Sequence, residues 1–323
     1  MAGQQWALSA DGGFLANVKL SKTLRNANQP RMKLRQFTRV EPGYGKNVSD
    51  SLDFDKLSNV QTAGGKITEL QDIPETKTLI RKGTLIVDEW GNSVPYTGKL
   101  EALSEFDPEN IVHKALMNDM AKTMDKAVAD ELKTGEIIYI PTGATQQTWD
   151  VDGTASTASV GNFNYFHLKE IRDAMDVGIF GAGNVANPVP LMPDGNAVAL
   201  LSVKAARGLF DDPDYQEAAK FAYPRQLFHG EMEEIVYNTR IVVTNNTAAL
   251  SNGVGGASAL GEAIFLGDDS IIEGVAIKEE LRAKLAVKYG RDKGLAWYAL
   301  LGFKKVWSFA TDGEDHIVRV TSS

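Results

Sequence analysis

One long helix, marked at both ends in the sequence, constrains the fold of this chain more than any other feature. Asp107 is a good N-cap, and Pro108 fits the first helical position, where a missing amide hydrogen costs nothing. Lys133 lies in the last turn, and Gly135 is predicted to end the helix in the left-handed conformation. The predicted helix, residues 108–133, is roughly 39 Å long at about 1.5 Å per residue.

One face of this helix is apolar along its whole length, which predicts packing against a core. The stripe consists of Val112, Leu116, Met120, Met124, Ala127, Val128 and Leu132. The other face mixes charges of both signs, as in a partly solvated helix with local ion pairs: Lys114, Asp119, Lys122, Asp125, Lys126 and Asp130. Neither face carries a catalytic arrangement, so the helix is interpreted as a structural spine.

The segment before the helix predicts a long projecting hairpin. Residues 78–87 are rich in β-branched side chains and are typical of a strand, residues 88–92 are a turn signal, and residues 94–100 are extended again. The predicted tip, near residues 58–76, has few large apolar side chains and cannot form a core of its own. We therefore expect the hairpin to rest on something else.

The remaining pattern mixes short strands and helices without an internal repeat. Strands are predicted at 137–140, 196–201, 234–244, 263–266 and 317–320, and helices at 163–176 and in the segment that ends at residue 210. Residues 141–161 and 245–260 are predicted loops, whereas 281–287 and 295–306 fit either strand or helix.

Charge is distributed unevenly along the chain. Residues 1–46 carry eight basic side chains against Asp11 and Glu41, whereas the whole chain has a net charge of -8, so the remainder carries an excess of fourteen negative charges. Apolar residues are interleaved in this basic segment, unlike in a purely solvating tail. We expect an extended arm that contacts nucleic acid or an acidic neighbouring surface.

Several classes of protein are disfavoured by composition. The chain has no cysteine, which excludes disulfides and thiolate metal sites. It has no apolar run of about 18 residues, so no membrane span is predicted. The first residues lack the pattern of a signal peptide, which predicts folding in the cytoplasm.

Candidate catalytic and ligand-binding patterns are weak throughout. The four histidines, His113, His167, His229 and His316, do not share a zinc-binding spacing. The acidic run 211–214 offers oxygen ligands for a divalent cation, but a turn before a helix N-terminus explains it better, and the acidic residues of 231–234 form a second such cluster. A loose GxGxxA at 181–186 is followed at once by prolines, which forbid the helix that a dinucleotide site needs. No phosphate-binding loop and no nucleophile elbow is present, and no cofactor is predicted.

An ordered set of segments resembles the major capsid proteins of tailed phages with the Hong Kong 97-type fold, most closely those of enquatrovirus-type podophages. The segments that carry the resemblance are 89–101 (EWGNSVPYTGKLE), 103–107, 115–121, 125–132, 215–234 and 290–303. No single motif among them is diagnostic; the resemblance lies in their combination, which covers nearly the whole chain.

The resemblance implies an α+β fold with five segments. They are an N-terminal arm (1–45), an extended hairpin loop (46–99), a peripheral domain (100–160) with its spine helix, an axial domain (161–287) and a return to the peripheral domain in C-terminal strands (288–323). It implies a non-enzymatic subunit that assembles with itself into hexamers and pentamers, forming an icosahedral shell around double-stranded DNA in a virion built in the host cytoplasm.

The resemblance also implies partners. Portal, scaffolding and decoration proteins are expected, and scaffolding is expected to come from another protein because the chain begins almost directly at the arm. DNA contacts are expected to be non-specific and at the inner surface. No Lys–Asn pair is identified for covalent crosslinking. Contacts between subunits are expected from the basic side chains of the arm: Lys19, Lys22, Arg25, Arg31, Lys33, Arg35 and Arg39.

Two alternatives stay open. One is an encapsulin-like compartment shell, which shares the fold and is distinguished by its genomic neighbours. The other is a soluble enzyme, which would need a pocket with converging titratable groups.

Overall fold

The computed structural model describes most of the chain and defines its helices and strands. The described residues are 32–41, 49–57, 65–69, 72–73, 75, 78, 80–104, 107–181, 183–222, 235–256, 259–285 and 288–323, with the side chains of 218–222 excluded. The strands are β1 (Arg39–Val40), β2 (Ser51–Leu57), β3 (Ile80–Ile86), β4 (Asp88–Thr97), β5 (Ile137–Pro141), β6 (Gln147–Asp150), β7 (Ala197–Ser202), β8 (Ile235–Val236), β9 (Thr239–Thr244), β10 (Ala263–Leu266), β11 (Ile271–Ala283), β12 (Asp292–Lys305) and β13 (Ile317–Val320). The helices are α1 (Gly98–Leu103), α2 (Pro108–Leu132), α3 (Tyr165–Val177), α4 (Val203–Phe210), α5 (Pro213–Ala222) and α6 (Phe309–Asp312), with a 3-10 turn at Arg35–Phe37.

The long helix forms as predicted at its start. The side chain of Asp107 accepts a hydrogen bond from the amide of Glu109, and Pro108 occupies the first turn. The predicted apolar stripe is buried apart from Met120, which is half-buried.

The helix ends differently from the prediction. Lys133 caps α2 in a right-handed conformation, and Gly135 does not have a positive φ. A Cβ on Gly135 would lie 2.7 Å from Cγ2 of Ile317. Glycine is therefore needed at this position for close packing against β13 rather than for a left-handed turn.

Sheet A, a four-stranded sheet with the order β1-β11-β12-β4, supports the long helix. Helix α2 packs on β12 and β4, and one core cluster joins Leu116 and Met124 of the helix to Trp297 and Leu301 of β12. The predicted turn at 88–92 is wrong, because these residues lie in β4 and pair with β12.

Sheet B, a seven-stranded sheet with the order β6-β5-β13-β10-β7-β9-β8, has two buried faces at its centre. In β7, Val198 and Leu200 belong to the core cluster around α2, whereas Ala199 and Leu201 belong to a second cluster with α3 and α4. This double burial explains why β5, β7 and β10 are buried at every position and, apart from Ser202, apolar rather than alternating.

The predicted hairpin is formed by β2 and β3. Their antiparallel register runs from Ser51 opposite Ile86 to Leu57 opposite Ile80. The hairpin strands pair only with each other among the described residues, and β4, which was expected within the loop segment 46–99, belongs to sheet A instead.

Two other local predictions differ from the structure, and two ambiguous segments are assigned. The predicted strand 234–244 is a tight hairpin of β8 and β9, turned by Tyr237 and Asn238, which both have positive φ. The predicted loop 141–161 contains β6. Of the two ambiguous segments, 281–283 end β11 and 295–305 lie in β12, whereas 284–285 are irregular and 286–287 lie outside the described residues.

The sheets also group the chain differently from the expected segments. Strands β5 and β13, from the expected peripheral segments, pair with each other and join β10 in sheet B. Strand β11, from the expected axial segment, lies in sheet A with β12. The reason is strand pairing between distant residues, which segment boundaries drawn along the sequence do not capture.

Candidate assembly surfaces and their anchors

The arm segment, residues 32–41, lies against its own chain. Leu34 is fully buried in the cluster around α2, and Phe37 packs against that cluster. Strand β1 then pairs in parallel with β11, with Arg39 opposite Ile272. The part of the arm that the structure describes is thus fixed to sheet A and the long helix.

Asp125 is the polar centre of this attachment. One carboxylate oxygen accepts a hydrogen bond from the amide of Leu34 at 2.8 Å, and the other accepts from Nδ2 of Asn246 at 2.9 Å. Burial raises the pKa of Asp125, although these donors favour its ionised form. The carboxylate therefore joins three separate parts of the chain: the arm segment, α2 and the loop after β9.

Asp125 does not lie on the polar face of the helix, so its predicted place there was wrong. Its side chain is 1% exposed. The position of Asp125 in the sequence could have indicated its burial. It follows Met124 directly and lies one turn before the buried Val128 and Ala129, at the edge of the apolar stripe.

Two of the three described basic residues of the arm, Arg35 and Arg39, contact carboxylates of the same chain. Arg35 forms ion pairs with Glu279 and, at 2.6 Å, with Glu273 of β11. Arg39 lies 3.3 Å from Asp269. Lys33 is half-buried. The other four expected contact residues, Lys19, Lys22, Arg25 and Arg31, lie outside the described residues.

The hairpin of β2 and β3 is attached by a buried ion pair, which we call the hairpin clamp (Lys56, Arg81 and Asp312). Lys56 Nζ lies 2.5 Å from Asp312 Oδ2 and donates to the carbonyl of Val306 at 3.0 Å. Arg81 lies 3.7 Å from the other oxygen of Asp312. The side chains of Lys56 and Asp312 are 9% and 1% exposed, so the charges compensate each other away from solvent.

Apolar contacts surround the hairpin clamp. Leu85 and Val87 are buried with Ile272 and Val306, and Phe54 and Trp307 pack against them. The ammonium of Lys56 lies 5.9 Å from the centre of the Trp307 ring, within the range of a cation–π contact. The inner face of the hairpin is thus fixed to the chain's own body.

A second buried ionic cluster joins the two sheets. Lys305 Nζ, at the end of β12, lies 3.0 Å from Asp315 and 3.3 Å from Glu136. Burial raises the pKa of Asp315 to about 6 against the opposing effect of Lys305. Burial also disfavours the charged form of Glu136, but hydrogen bonds from the Ala310 amide and other donors lower its pKa overall.

The buried histidine of α3 has a structural role. Its Nε2 must donate to the carbonyl of Gly143 at 3.0 Å, since a carbonyl only accepts. Burial lowers the pKa of His167 to about 4, so the ring is neutral and its Nδ1 accepts from the Tyr139 hydroxyl at 2.6 Å. A zinc ion would need one of these nitrogens.

The other sequence candidates also have structural explanations. Asp212 accepts hydrogen bonds from the amides of Asp214 and Tyr165, so the acidic run 211–214 surrounds the start of α5. No helix follows the loose GxGxxA at 181–186, as the prolines predict. His229 and the cluster 231–234 lie outside the described residues.

The described part of the chain contains neither a candidate metal cluster nor a candidate membrane helix. Its His, Asp and Glu side chains do not form a group of three placed to hold a metal ion. None of the described helices combines the length and the hydropathy that crossing a lipid bilayer requires.

Comparison with solved structures shows where this architecture occurs. No protein-family model and no curated protein sequence matches the chain. A capsid structure of Helicobacter pylori bacteriophage KHP30 is similar over 95% of both chains, with a TM-score of 0.70 and 13% sequence identity. The capsid of cyanophage Pam1 is similar over 100% of this chain and 99% of that one, with a TM-score of 0.69 and 13% identity. The capsid of Ralstonia phage GP4 gives the same coverage, with a TM-score of 0.66 and 14% identity. The chain therefore has the fold of bacteriophage capsid proteins.

Proposed function

We propose that this chain is the major capsid protein of a tailed bacteriophage, with the Hong Kong 97-type fold, which assembles with itself into the icosahedral shell around double-stranded DNA. The similarity to capsid structures over 93–100% of the chain is the observation that carries this proposal. It extends through both sheets, and the aligned proteins come from capsids. Enquatrovirus-type podophages are the proposed nearest group.

The parts of the fold have proposed roles in the shell. Sheet A and α2 form the peripheral domain with its spine helix, and sheet B with α3 and α4 forms the axial domain around the capsomer axis. This assignment moves β5, β6 and β13 to the axial domain and β11 to the peripheral domain, following the strand pairing. Heterologous contacts of one copy with the next close rings of six or five subunits.

The hairpin has an outer face suited to contact with a neighbour. Leu57 and Ile80 are opposite each other at the far end of the stem and are 60% and 64% exposed, and Ile86 at its base is 61% exposed. Burying such apolar area stabilises by about 25 cal/mol per Å². The inner face is already fixed to the chain's own body, so a neighbouring copy would stabilise the hairpin by covering its outer face.

The arm has two proposed functions along its length. Arg35 and Arg39 anchor it to the subunit's own β11 region. The preceding residues 1–31 carry Lys19, Lys22, Arg25 and Arg31 and extend to acidic surface of adjacent subunits. Shells of normal shape and stability from a chain that lacks residues 1–31 would contradict this role.

Portal, scaffolding and decoration proteins are proposed partners, and the packaged DNA is contacted non-specifically at the inner surface. No enzymatic activity is proposed. The virion is the proposed location, with assembly in the host cytoplasm. An encapsulin-like shell would share the architecture but would be encoded beside a cargo enzyme rather than beside portal and terminase genes.

Expression of the full chain tests the proposal directly. Sedimentation velocity should show large closed particles or capsomers, and negative-stain electron microscopy should show shells or rings of six and five subunits. A stable monomer at high concentration, with and without a co-expressed scaffolding protein, would refute the shell function.

A further inference from the structure

The loop between β9 and β10 contains an asparagine that is placed to react with its own backbone. Asn252 is followed by Gly253, and no other asparagine of the chain precedes a glycine. In such a pair the backbone nitrogen of the glycine can attack the side-chain carbonyl carbon of the asparagine, because glycine has no Cβ to hinder the approach. Neither residue belongs to a helix or a strand, so the backbone can close the ring without breaking a helix or sheet hydrogen bond.

The side-chain carbonyl of Asn252 is polarised by the first turn of α4. Its Oδ1 accepts a hydrogen bond from the backbone amide of Lys204 at 3.0 Å. This amide is one of the donors that a helix leaves unpaired at its start, where the helix dipole favours negative charge. Negative charge develops on Oδ1 when the nitrogen attacks, so the same hydrogen bond stabilises the intermediate of the reaction.

The attacking nitrogen and the leaving nitrogen are both weakly held. Gly253 is exposed, and its amide donates to the hydroxyl of Ser251 at 3.0 Å rather than to a backbone carbonyl. A single bond to a rotatable hydroxyl breaks more easily than a bond within a helix or a sheet, so this nitrogen can become free to attack. Within the described part of the chain, no group accepts a hydrogen bond from Nδ2 of Asn252, the nitrogen that has to leave.

Asn92 provides a contrast within the same chain. It also precedes a small residue, Ser93, and it is exposed. However, it lies inside β4 opposite Trp297 of β12, and its Nδ2 donates to Asp119 at 2.8 Å. Strand pairing holds its backbone extended and the hydrogen bond holds its side-chain nitrogen. Asn92 should therefore react only after the chain unfolds.

We propose that Asn252 is a site of spontaneous deamidation in the folded chain. The Gly253 nitrogen forms a bond to Cγ of Asn252, the bond from Cγ to Nδ2 breaks, and ammonia leaves with the proton of the Gly253 amide. The cyclic succinimide then takes up one water molecule at either of its carbonyls, which gives aspartate or isoaspartate at this position. The reaction consumes only water, and the inference does not depend on the proposed assembly function.

The two products differ in their effect on the loop. An aspartate keeps the hydrogen bond from the Lys204 amide and adds a negative charge at the start of α4, where the helix dipole favours it. An isoaspartate lengthens the backbone by one methylene and moves the Gly253 amide away from Ser251. The next contacts are then disturbed, because Glu262 accepts from the Ser251 amide at 2.6 Å and pairs with Lys133 at 2.9 Å. The isoaspartate product therefore loosens the connection between this loop and the end of α2.

Peptide mapping by mass spectrometry tests the inference on the folded full chain. After incubation in mildly alkaline buffer, the peptide that contains Asn252 should gain the mass of an amide-to-acid change, whereas the peptide that contains Asn92 should not. In urea both peptides should change, Asn252 faster. The inference is overturned if Asn252 stays unmodified in the folded chain under conditions that convert it in the unfolded chain, or if Asn92 reacts as fast as Asn252 in the folded chain.

Gly253→Ala is the matched variant, because it changes the reaction without disturbing the fold. Gly253 does not have a positive φ, and among the described atoms a Cβ there would meet only Oγ of Ser251, at 3.6 Å. The added methyl group hinders the attack, so deamidation at Asn252 should slow about tenfold. Gly65→Ala, with nothing within 4 Å, should react at the rate of the unchanged chain. Asn252→Asp should co-elute with the aspartate product on ion exchange. Equal rates for Gly253→Ala and the unchanged chain would contradict the proposed attack.

Discussion

Removing the Lys56 charge from the hairpin clamp should lower the free energy of unfolding, because the carboxylate of Asp312 would stay buried without its main partner. In Lys56→Met, the carboxylate of Asp312 stays in a site where its side chain is 1% exposed. It retains the amide of Ser308 at 3.1 Å and Arg81 at 3.7 Å. Breaking a buried pair typically costs about 3–5 kcal/mol, and these remaining contacts favour the lower end, so we expect a loss of about 3 kcal/mol.

A variant that replaces both Lys56 and Asp312 tests whether the loss comes from the unpaired charge. Because Lys56→Met/Asp312→Leu removes both charges, it should recover about 2 kcal/mol or more of that loss. Lys82→Met changes an exposed lysine of the same hairpin and should alter the free energy of unfolding by less than about 0.5 kcal/mol.

Urea unfolding of the unassembled chain measures the free energies, and limited proteolysis at residues 58–79 reports local release of the hairpin. If Lys56→Met loses less than about 1 kcal/mol of unfolding free energy and keeps its resistance to proteolysis, the reasoning is refuted. The ion pair would then behave like a solvated surface pair. Equal destabilisation of the single and double variants would refute it as well.

Other predictions concern the arm, the ionic cluster between the sheets and a strand contact. Asp125→Asn places an amide where two donors converge and should cost about 1–3 kcal/mol, with faster hydrogen exchange at the amide of Leu34. Because burial raises the pKa of Asp315 to about 6, its carboxyl binds more protons in the folded state than in the unfolded state between about pH 4 and 6. Stability should therefore fall by about 3 kcal/mol as the pH rises through this window, relative to Asp315→Asn, and parallel pH profiles of the two proteins would contradict this. A Cβ at position 91 would lie 2.8 Å from the carbonyl oxygen of Trp297, so Gly91→Ala should lower the melting temperature, whereas Gly65→Ala, with nothing within 4 Å, should not.

Features encoded by neighbouring residues were predictable, and features made by distant pairing were not. The start of α2 was predicted because Asp107 and Pro108 act within one turn. The residues 88–92 have the composition of a turn, but their conformation is set by pairing with β12, about 200 positions later. Sequence patterns carry no local record of such a partner.

The same limit applies to the anchors of the candidate assembly surfaces. Lys56 and Asp312 are 256 positions apart, and neither stands out from other charged residues in the sequence. The buried role of Asp125 depends on Leu34 and Asn246, 91 and 121 positions away. The basic arm was identified from its charge, but the acceptors of Arg35 and Arg39 on the same chain were not.

The position of β13 has a consequence for the timing of folding. This strand lies between β5 and β10, near the middle of sheet B, although its residues 317–320 leave the ribosome after all the others in that sheet. Until they are synthesised, β5 has no bridge to β10, and the pairing that closes the sheet spans about 180 residues. Such long-range pairing is slow to form. A nascent or truncated chain that lacks residues 317–320 would thus lack the strand that joins β5 to β10 in sheet B.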